Sequence, residues 1–426
     1  ASVNYSYGDK YYASFSFRRD GSSRLSPDTR WGNFWSLSAS WRLSQEKFMQ
    51  SLKSVLSDLK LRASYGVNGN LPSSYYGYQS TYTTGAFYNG KPSPWESTLG
   101  NEELTWEKNY ALNLGLDIGL FSRVNVSLDW YTRTTKDLLM SKQLNSISGF
   151  SSLLTNVGQM RNTGVELEVR SNNIKTKDFS WTTAFNLSHN KNKILKLADL
   201  PWFVDGRYVR KEGYPFNTIY LREYAGVDPE TGSALYYDNQ QDENGNYTKN
   251  KVTDPGQASP IPLKDITPTI SGGFMNTFNY KFIDLSFNLS YSFGGYSYDN
   301  ASYILQDDGY SVISNKSTEQ RRRWQKPGDI TDVPRFVYGN KKGGNYNSSR
   351  AIHSTDHIRL KSLILGLNAP KAWLQKLGIG NARIYFSGTN LLTWAAYGQY
   401  DPEMSGVVGF YTPPLKTYAF GLELKF

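Results

Sequence analysis

A chain of 426 residues with a formal net charge of +10 is long enough for two or three soluble domains, or for one barrel at about 10 residues per spanning strand plus loops. It is 15% aromatic, with 32 Tyr, 21 Phe and 11 Trp, yet its mean hydropathy is -0.55 and it has no long apolar run, which excludes a helical membrane protein but not a barrel whose strands are apolar only at alternate residues. Zero cysteines exclude disulfides and thiolate metal sites; no compact basic helix points to nucleic acid, and the tight basic cluster Arg321 to Arg323 reads as a solvated loop.

The opening SVNYSYGDKYYASFSFRRD reads as strand, tight turn and strand, with no signal-peptide core after Ala1, so the chain is expected to be processed or incomplete, with export resting on something upstream. Period-two patterning carries the reading onward, because successive side chains of a strand face opposite sides. Tyr110, Leu112, Leu114, Leu116, Ile118 and Leu120 share one face against Asn109, Asn113, Gly115, Asp117 and Gly119. After a tight turn at Phe121 and Ser122, Val124, Val126, Leu128 and Trp130 alternate with Asn125, Ser127, Asp129 and Tyr131. Val165, Leu167 and Val169 oppose Glu166, Glu168 and Arg170; Leu285, Phe287, Leu289, Tyr291 and Phe293 oppose Asp284 and a Ser/Asn face.

Thirteen spanning strands are expected, over 2–8, 11–20, 33–43, 57–67, 104–120, 123–134, 160–171, 179–190, 269–281, 283–295, 356–368, 381–391 and 415–426. The segment 216–226 has strand propensity but breaks the up-and-down order. Strand 179–190 runs outward and 269–281 must run inward to its own short turn, so 191–268 lies outside with any hairpin it holds. The short turns belong on the periplasmic side and the long loops on the other. Because the first and last strands both run inward, an odd number of strands is expected upstream. The fold class is all-β: a transmembrane antiparallel β-barrel in an outer membrane, crossed many times.

The outward loops 68–103, 135–159, 191–268, 296–355 and 392–414 are rich in Gly, Ser, Asn, Pro and aromatic residues. Tyr75, Tyr76, Tyr78, Trp95, Trp202, Tyr303, Tyr310 and Trp324 are the candidates for stacking on a ligand ring, weighed against loop packing and interface anchoring. Asp238 to Lys251 has calcium-loop character at Asp242, Asn244 and Gly245, but Lys251 stands where a bidentate Glu belongs, so a polar turn is preferred. His353 and His357 lie on alternating sequence with no third ligand, and no metal or cofactor is expected. No G-x-S-x-G, P-loop or H-E-x-x-H occurs, and the carboxylates lie along strands, so catalysis has no support.

Several strings resemble the SusC/RagA family of TonB-dependent outer-membrane transporters: FRRDGSSRL at 17–25, RWGNFWSLSASWRLSQEKF at 30–48, LKLRASYGVNGN at 59–70, NVGQMRNTGVELEV at 156–169, TPTISGGFMNTFNYKFIDLSFNLSYSFGG at 267–295 and STDHIRLKSLILGLNAP at 354–370, followed by GTNLLTW and YDPE. The resemblance covers most of the chain. It implies the C-terminal part of a barrel of about 22 strands, with an N-terminal plug and the TonB contact upstream. It also implies a SusD-like surface lipoprotein as lid, import of glycans or peptides, and allows a dimer of the transporter–lid pair. Phe426, Leu424 and Gly421 match the terminal pattern read by barrel-insertion machinery, although Ala419 stands where that pattern has a polar residue. The rivals are a passive porin, a surface adhesin or structural barrel, and a secreted β-sandwich or propeller enzyme.

Overall fold

The computed structural model describes residues 1–197, 200–340, 347–370, 373–374 and 378–426; the parts of the expected outer loops at 198–199 and 341–346 lie outside the described residues. The chain forms two compact units, Ala1–Lys175 with Trp181–Trp202 and Lys211–Pro215, and Thr176–Ser180 with Phe203–Arg210 and Phe216–Phe426.

The first unit carries the strands β1 (Ser2–Tyr7), β2 (Tyr11–Gly21), β3 (Trp31–Arg42), β4 (Leu56–Asn70), β5 (Glu107–Leu120), β6 (Val124–Lys136), β7 (Gln159–Lys175) and, from Trp181, β8 (Phe179–Lys196). From β1 to β7 each pairs antiparallel with the next in chain order. Register puts like on like across the sheet. Tyr11, Trp41, Leu61, Leu116, Leu128 and Leu167 form one row, and Ala13, Ala39, Ala63, Leu114, Trp130 and Val165 the next on the same face. The opposite face carries Ser14, Ser38, Ser64, Asn113, Tyr131 and Gly164, flanked by the row Tyr12, Ser40, Arg62, Gly115, Asp129 and Glu166. A slip of one residue would exchange the two faces, so the alternation itself fixes the register.

The second unit carries β9 (Ile270–Tyr280), β10 (Ile283–Phe293), β11 (His357–Asn368), β12 (Asn381–Ala395) and β13 (Thr417–Lys425), again paired antiparallel in chain order. Leu285, Leu365, Phe386 and Phe420 share a row, as do Ile283, Leu367, Ile384 and Leu422. Between β10 and β11 the register shifts at Lys361, the odd residue out, which bulges β11 at that point.

Each of the thirteen expected strands is present among the described residues, with shifted ends. The strands β7 and β8 run on to Lys175 and Lys196, past the expected ends at 171 and 190, through 172–175 and 191–196. Those extensions are mostly Asn and Lys, with Ile174, Ile194 and Leu195 as their apolar residues, so they show no sustained period-two alternation to extend the reading. The segment 216–226 gives two short loop strands instead of a spanning one: Thr218–Leu221 pairs with Ile261–Asp265, and Tyr224–Val227 with Ala234–Tyr237.

The buried apolar residues lie mainly among the loops, because the apolar rows of the sheets stay exposed. Leu25, Phe34, Leu104 and Trp106 pack together in the first unit. In the second, Ile219, Leu221, Tyr298 and Ala351 form one cluster and Ala234, Tyr236 and Ala258 another. A sheet that leaves Leu37, Leu61, Leu114 and Trp130 exposed on one face is incomplete in water and complete in hydrocarbon.

Candidate functional site

The polar faces are held by arginine clamps. In the first unit Arg62 of β4 reaches across two strands: Nε donates to Asp117 Oδ2 at 2.8 Å, and Nη2 to Asp117 Oδ1 at 3.0 Å, Ser127 Oγ at 3.1 Å and Asp129 Oδ2 at 2.9 Å. Gly115 makes the room, since a Cβ there would stand 2.6 Å from the Arg62 guanidinium carbon. In the second unit Arg383 of β12 donates to Asp284 at 2.7 Å, Asn368 donates to the same carboxylate at 2.9 Å, and Glu423 stands 3.5 Å from Arg383. These carboxylates are bound to fixed cations, so they offer a wetted, charge-balanced surface in place of a general acid or base.

The richest cluster of the second unit sits where β11 and β12 meet the loops. Tyr296–Asp299 pairs antiparallel with Ile352–Ser354 and parallel with Gly406–Val408. Asp299 caps the short helix α1 (Asn300–Leu305) by accepting from Ser302 N at 2.9 Å, and its second oxygen accepts from Tyr397 Oη at 3.1 Å. His353 lies flat on Tyr397, ring centroids 3.6 Å apart and planes 3° from parallel. Burial pushes the His353 pKa down against the pull of Asp299, and burial pushes Tyr397 up.

Beside it, the motifs D-H-I-R-L-K and Y-D-P-E close on each other. Arg359, almost fully buried, donates to Asp401 at 2.7 Å and Glu403 at 2.9 Å, and the bulged Lys361 donates to Glu403 at 2.6 Å. His357 turns Nδ1 to Thr355 O at 2.8 Å and Nε2 towards Glu403 at 3.8 Å. The clasp fastens the 396–416 loop to the polar face of β11 and walls a cleft of about 710 Å³ with Thr393, Tyr400, Met404, Tyr411 and Pro413.

The candidate stacking residues divide by environment. Tyr75, Tyr76, Trp95 and Trp202 have exposed rings, Tyr75 beneath the Arg24 guanidinium at 4.2 Å and Trp95 on the hairpin Thr81–Tyr88/Lys91–Thr98. Tyr78 packs on the Leu25 cluster and Tyr303 on the Tyr298 cluster, while Tyr310 is exposed. Trp324 donates Nε1–H to Pro229 O at 2.8 Å and covers Gly232, where a Cβ would strike its ring. At the terminus, Gly421 lies opposite Tyr385, whose ring fills the space a Cβ would need; Leu424 pairs with Ala382 and Phe426 is exposed.

The 238–251 segment is built as a polar turn. Asp242 accepts from Asn244 N at 2.9 Å and Asn246 N at 2.8 Å, and Asp238 from Thr248 and Asn250, so both carboxylates serve their own loop. His353 and His357 are separated by a break at Thr355 and Asp356 and go to different partners. The clasp escaped the sequence reading. Its signal was present, as two cations on the polar positions of one strand and a D-P-E nearby, but sequence does not say which loop returns to which strand.

A family model described as TonB dependent receptor-like, beta-barrel, matches residues 1–219. TonB-dependent receptor P3 of Formosa agariphila is 33% identical over 459 residues, covering 100% of this chain and 45% of that protein. TonB-dependent receptor SusC of Bacteroides thetaiotaomicron is 30% identical over 453 residues, covering 100% of this chain and 43% of that protein. Among solved structures, the RagAB peptide transporter superposes with a TM-score of 0.89 at 31% identity, over 100% of this chain and 47% of that one. The chain spans about half the length of the curated relatives it matches.

Proposed function

The chain belongs to the TonB-dependent receptor-like β-barrel family of the outer membrane, and from that premise we propose that it forms the C-terminal barrel wall and outer loops of an energy-coupled, SusC-like importer. The observation that carries this reading is the two-faced sheet in each unit: exposed apolar rows suited to lipid, and clamped polar rows suited to a wet lumen. Its work is binding and passage, with no bond made or broken.

The loops 68–103, 191–268 and 296–355 face outward on this reading and meet both a SusD-like lipoprotein lid and the arriving substrate. Tyr75, Tyr76, Trp95 and Trp202, whose rings are exposed, supply stacking surfaces, while Tyr78, Tyr303 and Trp324 hold the loops in shape. A peptide or a glycan is the cargo. Coupling to TonB runs through a plug in sequence upstream of this chain.

The test is purification of the native complex from detergent-solubilised outer membranes, with mass spectrometry of every co-purifying chain and retained small molecule. A surface lipoprotein together with a peptide or glycan is the expected result. A complex with neither, in a protein whose upstream sequence lacks a plug, would replace this reading with a passive pore.

A further inference from the structure

At one end of the first unit lie the tight turns at 8–10 and 121–123 and the 43–55 connection between β3 and β4. Arg42 N, at the end of β3 just before the connection, donates to Lys10 O of the first turn at 2.7 Å, and Phe121 N of the second turn donates to Val55 O of the connection at 2.8 Å. The connection folds into two short 3-10 helices, Leu43–Gln45 and Lys47–Leu52, of which the second buries none of its residues. Phe48, Leu52 and Val55 are 65%, 49% and 47% exposed, and Phe121 in the adjoining turn is 58% exposed. Four large apolar side chains therefore project from this end with little of the unit to pack against.

Phe121 sharpens the point. It and Ser122 hold φ of +53° and +55°, a left-handed pair for which Asn and Gly are the usual residues. That turn sets the Phe121 ring at its tip, exposed to the surroundings.

Two observations say what covers these side chains. The first is continuity. Glu46, which immediately precedes the helix, accepts from Tyr11 Oη at 2.6 Å and Trp41 Nε1 at 3.2 Å, and both rings belong to the apolar row that runs on through Leu61, Leu116 and Leu128. The helix therefore hangs from the lipid-facing side of the sheet. Hydrogen bonds from Tyr11, then Lys10 and Trp41, hold the Glu46 carboxyl at about 2, so this anchor stays ionised at any working pH.

The second is charge. Asp9 and Asp58 bond Arg42, and Glu46 bonds Lys10, at 2.9 Å in each case. Lys47, Lys53 and Arg123 are exposed on the same end, which leaves its outward charge positive. Apolar side chains ringed by cations, at the rim of a lipid-facing wall, match a segment lying in a headgroup layer.

We propose that the Lys47–Leu52 helix and the Phe121 turn form a lipid-docking platform. It sets Phe48, Leu52, Val55 and Phe121 at the acyl boundary of the leaflet on the short-turn side, with Lys47, Lys53 and Arg123 on anionic phospholipid headgroups. The platform fixes how deep the wall sits and resists tilting of this edge during transport.

The test uses the intact transporter in vesicles of phosphatidylethanolamine with about one quarter phosphatidylglycerol. A fluorescent probe is placed at S51C, with Y88C on the exposed 81–98 hairpin as the aqueous comparator. The S51C probe should be quenched by lipids spin-labelled near the headgroup and be about fivefold less open to iodide than the Y88C probe. Iodide access equal to that of Y88C overturns the proposal. Shielding from iodide and lipid alike overturns it too, since protein would then be the cover. Adding F48S and L52S should return the S51C probe to water, and persistent lipid quenching would remove these two residues as anchors. Adding K47E and K53E should abolish any preference of the probe for spin-labelled phosphatidylglycerol over phosphatidylcholine; an unchanged preference overturns the charge pairing.

Discussion

Arg359 shows how one side chain can hold a loop. Its guanidinium is almost fully buried and divides its donors between Asp401, buried beside it, and Glu403. Replacing it with Ala leaves a buried carboxylate without its cation, which costs about 3–5 kcal/mol where the pair is desolvated. The R359A variant should therefore free the 396–416 loop without unfolding the sheet. Limited proteolysis should cut within 396–416 in the variant and spare it in the wild type, and an uncut loop would show that the clasp is dispensable. Gly421 works by absence: a Cβ there meets the ring of Tyr385 on the neighbouring strand. The G421V variant should cost about 1–3 kcal/mol by overpacking. It should lower the fraction of heat-modifiable, folded barrel on a gel, and wild-type recovery would mean that Tyr385 swings aside at no cost.

At the scale of an element, the small sheet of Tyr296–Asp299, Ile352–Ser354 and Gly406–Val408 is built around a neutral histidine. His353 is stacked on Tyr397, Tyr400 packs on Tyr397, and Asp299 is the nearby acid. Burial lowers the folded pKa below the ordinary value of 6.5, so the unfolded segment binds the proton more readily than the folded one. The sheet is thus at full stability above 6.5 and loses stability as the pH falls below it towards the folded value. Hydrogen exchange at 352–354 and 406–408 should quicken as the pH is lowered through that window, after correction for intrinsic exchange. The H353F variant, which keeps the stacking and removes the titration, should flatten the profile; a profile unchanged by H353F would assign the effect to another group.

At the scale of the whole molecule, the decisive property is which face meets lipid. Leu114 and Asn113 are neighbours on β5, yet they belong to opposite rows, one with Ala63 and Trp130 and the other with Ser64 and Tyr131. A charge on the lipid face near the bilayer midplane costs about 2–4 kcal/mol, whereas a lumen position tolerates it. L114R should shift urea unfolding in vesicles by about that amount and N113R by under about 1 kcal/mol. The reverse order would turn the sheet inside out.

Alternation by itself placed β1 to β13 and told their faces apart, because a half-solvated strand needs apolar side chains at every second residue and no other element gives that period. It also set aside 216–226 as a spanning strand, through the parity of short turns. Family-like strings such as LKLRASYGVNGN and STDHIRLKSL carried the outer-membrane reading, while residue type alone named the loop aromatics as candidates and the structure decided which rings are exposed, those of Tyr75, Tyr76, Trp95, Trp202 and Tyr310. What the sequence could not decide was distant pairing. That Arg359 meets Asp401, that His353 lies on Tyr397, that Trp324 covers Gly232 and that Glu46 gathers Tyr11 and Trp41 all depend on loops returning to strands. Strand pairing is written locally in a period of two, while loop closure is settled only when the packed chain matches each buried charge to its partner and each ring to the space left for it.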